Sequence, residues 1–365
     1  MTYVVVWPRK HEMASQKDYL IALYCDALNQ SIHEVEYISL NHGEAHAYLF
    51  KPTRTDIAEV ANRIGSESFT QKAGKVMLRA AARFPPLLRL IPRIGRIRLP
   101  VGEDRQPDQI LLSSRMRLIE RTEEVVHTLP RGSERGVRAE IDARRDLPSS
   151  IPVPTVIEHN DSVPYFTEAY LEGRPAGHPE DSPERYLRIY ELLQELYAKT
   201  SGPLRPIEEV IDCRLSDAET VSDPILQKAR SWVARDALPD VFRICDVHGD
   251  LHSTNVLVTD DGPLFLDWED RRRDLAVVDL LRPCLVQYYD RGDTTLLKQM
   301  VTGVGDGHHY ATSYAERIGP CIYDEREWYP ALVPLGCLCL LEEIQRGTPM
   351  WNACYQLLSD LVKAR

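Results

Sequence analysis

Several large classes of protein are excluded by what this sequence lacks. No stretch of its 365 residues reaches the eighteen or so uncharged apolar residues that a transmembrane helix needs, so no bilayer span is expected. The opening MTYVVVWPRK holds an apolar run too short for a secretory signal, with charge following at once, and a cytoplasmic protein is expected. Of eight cysteines only Cys337 and Cys339 lie close together, a pattern that fits reduced thiols rather than a disulfide framework. No two Cys/His pairs have the spacing of a zinc site. Positive charge is in deficit, 44 Lys and Arg against 55 Asp and Glu for a net −11, so the excess basic surface that binds nucleic acid is missing. Internal repeats and low-complexity tracts are absent as well.

What is present falls into three regions. Residues 1–100 read as an accessory α/β segment: the strand YVVVW, a helix from Ser15 to Leu28, and a second strand, EVEYISL. The same region holds QKAGKVMLRAAARFPPLLRLIPRIGRIR, Gln71 to Arg98, with eight basic residues and no acidic one. Lys72, Lys75, Arg79 and Arg83 recur at three- and four-residue steps along one helix face. Such a face suits either a solvated packing surface or peripheral contact with an anionic membrane. Residues 101–172 form short strands, DQILLSS, RMRLIER and EEVVHTLP, then a helix in SERGVRAEIDARRDL and a strand in SVPYFTEAYLEG. From 173 to 365 helices dominate: Pro183 to Lys199, with Ser182 as N-cap, Pro224 to Ala237, and most of the chain after Leu275.

The densest chemistry lies in HGDLHSTNVLVTDDGPLFLDWED, His248 to Asp270. RICDV enters as a strand, and NVLVTDDGPLFLDW reads as a hairpin turning at Asp261-Gly262. That places His248, Asp250 and Asn255 on the loop before the hairpin and Asp267 at its far end, so that both can face one cavity. Carboxylates gathered in this way repel one another and need a cation or another compensating partner. Phosphoryl transfer uses such a set: a base at the attacking hydroxyl and hard oxygen ligands holding Mg²⁺ on the nucleotide phosphates. Kinases supply these groups from His-x-Asp-x-x-x-x-Asn and a later Asp, a spacing that His248, Asp250, Asn255 and Asp267 reproduce.

In HGDLHSTN and LDWED the chain resembles the aminoglycoside phosphotransferase and choline kinase family, from about Asp108 onward. The resemblance implies an α+β, bilobal protein-kinase-like fold, with a small antiparallel-sheet lobe at 101–172 that binds nucleotide and a larger mainly helical lobe at 173–365; the extra N-terminal α/β segment lies outside it. It implies Asp250 as catalytic base and Asn255 and Asp267 as Mg²⁺ ligands, allows Glu269 an added outer-sphere contact, and makes His248 an anchor of the loop and Asp279 its brace from the next helix. ATP and Mg²⁺ are the implied cofactors. The acceptor would be a hydroxyl of a small molecule or glycoconjugate, with no protein partner indicated.

The small lobe departs from the family. No lysine stands between Lys75 and Lys199, and only Ser113-Ser114 separates the first two strands, where a Gly-rich loop is usual. His127 takes the place of the phosphate-binding lysine, with Glu140 as its partner acid, or both are ordinary strand and helix residues; Arg131 or Arg121 would then reach the phosphates. The backbone of Glu168 to Tyr170 would meet the adenine. A second reading follows from the same departures, namely a catalytically impaired kinase fold acting as a binding or scaffold module. His308-His309 reads as an exposed pair, since adjacent residues point to different sides of a helix.

Overall fold

The computed structural model describes residues 32–42, 46–50, 76–77, 79–80, 83, 94–102, 108–112, 115–130, 134–160, 164–209, 223–235 and 238–364. The strand YVVVW, the helix expected from Ser15 to Leu28, most of the basic segment from Gln71 to Arg98, and Arg131 lie outside them. The chain divides into two compact units, one of residues 2–142 and 154–172, the other of 143–153 and 173–365.

The first unit is built on one antiparallel sheet. Its strands are β1 (Ile32–His42), β2 (His46–Phe50), β3 (Ile94–Gly102), β4 (Gln109–Leu112), β5 (Arg115–Glu120), β6 (Val125–Pro130), β7 (Val156–Asn160) and β8 (Tyr165–Ala169). They run in the order β3-β1-β2-β4-β5-β6-β8-β7. EVEYISL lies within β1, and β1 pairs antiparallel with both β2 and β3. β2 in turn pairs with β4, from Ala47↔Leu112 to Phe50↔Gln109, so hydrogen bonding runs without a break across residue 100. Helix α1 (Arg135–Arg145) follows β6 and sets Val137 and Ile141, one turn apart, against Phe166 of β8. β7 gave no strand signal in the sequence, because VIEHN has no apolar alternation and three of its five residues are exposed.

The second unit is mainly helical: α2 (Pro183–Thr200), α3 (Pro224–Arg235), α4 (Val277–Arg291), α5 (Thr295–Thr302), α6 (Gly305–Ile322), α7 (Leu332–Glu343) and α8 (Pro349–Ala364). Short strands carry the intervening chain: β9 (Arg174–Pro175), β10 (Leu204–Pro206), β11 (Val241–Arg243), β12 (Cys245–Val247), β13 (Val256–Thr259), β14 (Gly262–Phe265) and β15 (Arg272–Asp274). Ser182 occupies the N-cap position of α2, with Pro183 at the start of the helix, but its side chain makes no cap hydrogen bond. Helix α7 is buried along Leu332 to Leu341, as its uniform apolarity requires. Gly336 permits close packing there, since a Cβ would fall 2.3 Å from Leu281 Cδ1 of α4. Tyrosines fill much of the core. The Tyr190 ring meets Tyr314 edge to face at 5.1 Å, and its hydroxyl lies 2.9 Å from that of Tyr310. Among the described residues no helix is long and apolar enough to cross a membrane.

Candidate active site

Strand β12 is short and half buried, Cys245 and Val247 inward, and it pairs with β15 through Cys245↔Asp274 and Val247↔Arg272. The chain then turns sharply at Gly249, whose φ is +83°. A side chain there would strike the carbonyl oxygen of Asp270 at 2.1 Å, so glycine is required by both conformation and space. Arg272 reaches toward the same turn, its Nη1 3.4 Å from the carbonyl oxygens of Gly249 and Asp270.

The loop is fixed by a buried carboxylate. Asp279, in the first turn of α4 and fully buried, accepts from the amides of His248 (2.9 Å) and Gly249 (3.0 Å) and from the hydroxyl of Tyr197 (2.9 Å). His248, also fully buried, donates from Nε2 to the Leu266 carbonyl at 2.9 Å and lies against Trp268, ring centres 4.5 Å apart. Leu266 donates its own amide to the Asn255 carbonyl at 2.9 Å. These two bonds bring the residue preceding Asp267 against both ends of the His248–Asn255 loop. The hairpin turns one residue earlier than the sequence suggests: Thr259 pairs with Gly262, so Asp260 and Asp261 form the turn and Gly262, at φ +124°, opens β14.

Asp250 sits among three donors. Arg282 of α4 approaches its Oδ1 with Nε at 2.9 Å and Nη2 at 2.6 Å. Oδ2 accepts from Asn255 Nδ2 (3.1 Å) and from His252 Nε2 (3.2 Å). Since a carboxylate only accepts, Nε2 donates, while Nδ1 lies 3.1 Å from the Thr254 hydroxyl. Burial pushes the Asp250 carboxyl up, but attraction to His252 and Arg282 and the hydrogen bonds they donate outweigh it, holding the group below the usual carboxylate range. Asp270 nearby is pushed up, first by burial and then by the Asp250 charge.

Asn255 uses Nδ2 twice, on the Asp250 carbonyl (2.9 Å) and on its carboxylate, which leaves Oδ1 as the amide atom suited to a cation. Asp267 adopts a left-handed backbone, φ 62° and ψ 64°, ahead of the 3₁₀ turn Trp268–Asp270, which contains Glu269. A non-glycine residue is held there at a cost of about 1 kcal/mol or more, a strain that clusters at functional sites. Among the described residues, no three His, Cys, Asp or Glu side chains are grouped as a metal cage. An amide oxygen and one carboxylate fit Mg²⁺ better than most cations, because it keeps several waters and takes its other ligands from phosphates.

In the sheet unit, His127 and Glu140 each meet a charged neighbour of their own. His127 is buried on β6, with Nδ1 2.8 Å from the Thr167 hydroxyl and Nε2 3.5 Å from Glu120. Glu140 of α1 instead pairs with Arg115 of β5 at 3.5 Å, both almost wholly buried. Buried Glu168 of β8 stands opposite Val126 of β6. The amides of Ala169 and Tyr170 are engaged within the unit, on Thr155 O (2.9 Å) and Glu124 O (2.7 Å), so neither is a ready donor for adenine. Arg115, His252 and Arg282 were missed by the sequence reading. His252 alone had a signal, its place two residues from Asp250.

An antiparallel sheet with one helix between β6 and β7, followed in the chain by a helical unit bearing His-x-Asp-x-x-x-x-Asn and a later Asp, is the protein-kinase-like class of α+β fold. Residues 109–314, more than half of the chain, match the phosphotransferase enzyme family APH, and the protein belongs to that family. Among solved structures it is similar to the aminoglycoside phosphotransferase APH(4)-Ia as a thermostable mutant (13% identity, 68% of this chain and 90% of that chain, TM-score 0.41). It is also similar to choline kinase LicA from Streptococcus pneumoniae (13%, 69% and 91%, 0.41) and to aminoglycoside 2'-phosphotransferase-IIIa in its GDP complex (15%, 72% and 91%, 0.39). No curated protein matches significantly in sequence.

Proposed function

We propose that this protein is an ATP- and Mg²⁺-dependent phosphotransferase that moves the γ-phosphoryl group to a hydroxyl of a small molecule or glycoconjugate. The observation that carries this reading is the Asp250 carboxylate, held ionised and oriented by Arg282, His252 and Asn255 on a loop braced by Asp279. Asp250 orients the acceptor hydroxyl and takes its proton. Asn255 Oδ1 and the Asp267 carboxylate would hold the metal, with Glu269 as a further oxygen nearby, and His248 keeps Leu266, and so Asp267, at the loop. Mg²⁺, when bound, neutralises charge on the phosphates. In the sheet unit the Arg115–Glu140 pair takes the part of the missing lysine and its partner acid.

ADP formation across a panel of alcohols, amino sugars and nucleosides tests the reading, alongside melting with ATP in the presence and absence of Mg²⁺. Turnover with at least one acceptor is expected, and a rise in melting temperature that Asp267→Ala removes. If Asp267→Ala used Mg-ATP as the parent does, the metal assignment would fail. The scaffold reading draws on a different observation, the engagement of His127 with Thr167 and Glu120 in a stretch that has no lysine. No shift at millimolar nucleotide and no turnover would favour it.

A further inference from the structure

The Asp250 carboxylate is fully subscribed. A carboxylate offers about four lone-pair positions. At Oδ1 two donors of one guanidinium take them, Nε and Nη2 of Arg282, and at Oδ2 the donors are Asn255 Nδ2 and His252 Nε2. No position is left for an incoming hydroxyl, so one bond must yield before Asp250 can act as a base. The two oxygens are unequal. The Arg282 bonds, at 2.9 and 2.6 Å, are short and charge-assisted, whereas those at Oδ2 are 3.1 and 3.2 Å.

Arg282 is three residues beyond Asp279 on α4, so both face the same loop, Asp279 fixing its backbone and Arg282 its side chain. Among the described residues Arg282 makes no other hydrogen bond, and its side chain is 15% exposed against 20% for Asp250. Its charge also acts on the neighbouring Asp270, but its hydrogen bonds among the described residues all go to Asp250.

We infer that Arg282 commits Oδ1 of Asp250 and so makes Oδ2 the atom that receives the proton of the attacking hydroxyl, which makes Arg282 a positioning residue for the reaction. This rests on the phosphotransfer reading above. In the step, the hydroxyl oxygen forms the new bond to the γ-phosphorus of the nucleoside triphosphate. The bond from that phosphorus to the β–γ bridging oxygen breaks, and its electron pair leaves with the nucleoside diphosphate. The hydroxyl proton passes to Oδ2, displacing the longer bond from His252. Oδ2 is also the oxygen that meets Asn255, so the hydroxyl enters on the side of the carboxylate where the metal ligand stands.

The test is a double-mutant cycle in the full-length chain, with Mg-ATP and an acceptor found in the panel above. Arg282→Gln is expected to lower kcat by roughly 10- to 100-fold, the scale of a misplaced catalytic group, with KM for ATP held within about twofold. Arg282→Lys, which keeps the charge without the fork, is expected to recover part of that loss. In the Asp250→Asn background Arg282→Gln is expected to do no further harm, because its effect passes through Asp250. If Arg282→Gln does not fold, Arg282→Lys carries the same cycle. The inference is overturned if the effects multiply, or if KM rises while kcat holds. A parent that forms no ADP with any acceptor overturns the functional reading together with this inference, whereas an active parent with multiplying effects overturns this inference alone.

Discussion

Asp279 provides the sharpest test of how the loop is held. Its carboxylate is fully buried and accepts three hydrogen bonds, two from consecutive amides of the loop and one from Tyr197. Asp279→Ala leaves three buried donors without acceptors, each costing about 1–3 kcal/mol; because such losses are not additive, a total of about 3–5 kcal/mol is expected. Against a typical stability of about 5–15 kcal/mol, that is at least about a fifth of the whole. Asp279→Asn keeps the shape and one accepting oxygen but turns a donor toward a donor, so a loss of about 1–3 kcal/mol is expected. Tyr197→Phe removes only the side-chain bond and should cost about 1 kcal/mol. The local readout is amide hydrogen exchange at His248 and Gly249, which in Asp279→Asn should quicken by roughly tenfold or more. Exchange at those two amides unchanged within about threefold, with a loss below about 1 kcal/mol on urea unfolding of Asp279→Ala, would refute the bracing argument.

Three further outcomes are expected. Gly249→Ala combines the steric cost of a left-handed residue, about 1–2 kcal/mol, with a Cβ 2.1 Å from the Asp270 carbonyl oxygen, and should lower the melting temperature and abolish turnover; a parent-like melt would sink the close-packing account. Asp250 is depressed in the folded state, so its pairing stabilises at pH values above the ordinary carboxylate value of about 4 and is lost as pH falls toward the folded value; the stability gap between parent and Asp250→Asn should therefore narrow on acidification from pH 7, and a constant gap would contradict the pairing. Arg115→Met removes the buried cation beside Glu140 and should cost up to about 3–5 kcal/mol, while adding Glu140→Met should restore part of it; a simple sum of the two losses on urea unfolding would argue against the pair.

The reach of the sequence follows the distance over which its residues act. In His248 to Asp270 the glycine turn, the apolar strands and the polar spacing are local, and they sufficed to mark Asp250, Asn255 and Asp267 as candidates and the surrounding strand and hairpin as their support. Helices such as α2 and α7 were legible for the same reason, since apolar spacing and a proline at the start act within a few residues. Charged VIEHN, by contrast, becomes β7 because β8 offers it a free edge, a fact external to its own pattern.

The sequence by itself determined the chemistry on offer: an acidic chain of helices and short strands with one loop of oxygen ligands. Only the tertiary structure decided who holds whom. Arg282 meets Asp250 across 32 residues, Glu140 meets Arg115, and β1 to β3 join the sheet of β4 to β8. A buried charge is matched by whichever opposite charge the packing brings near, and an open strand edge by whichever backbone arrives; neither choice leaves a periodic trace in the chain.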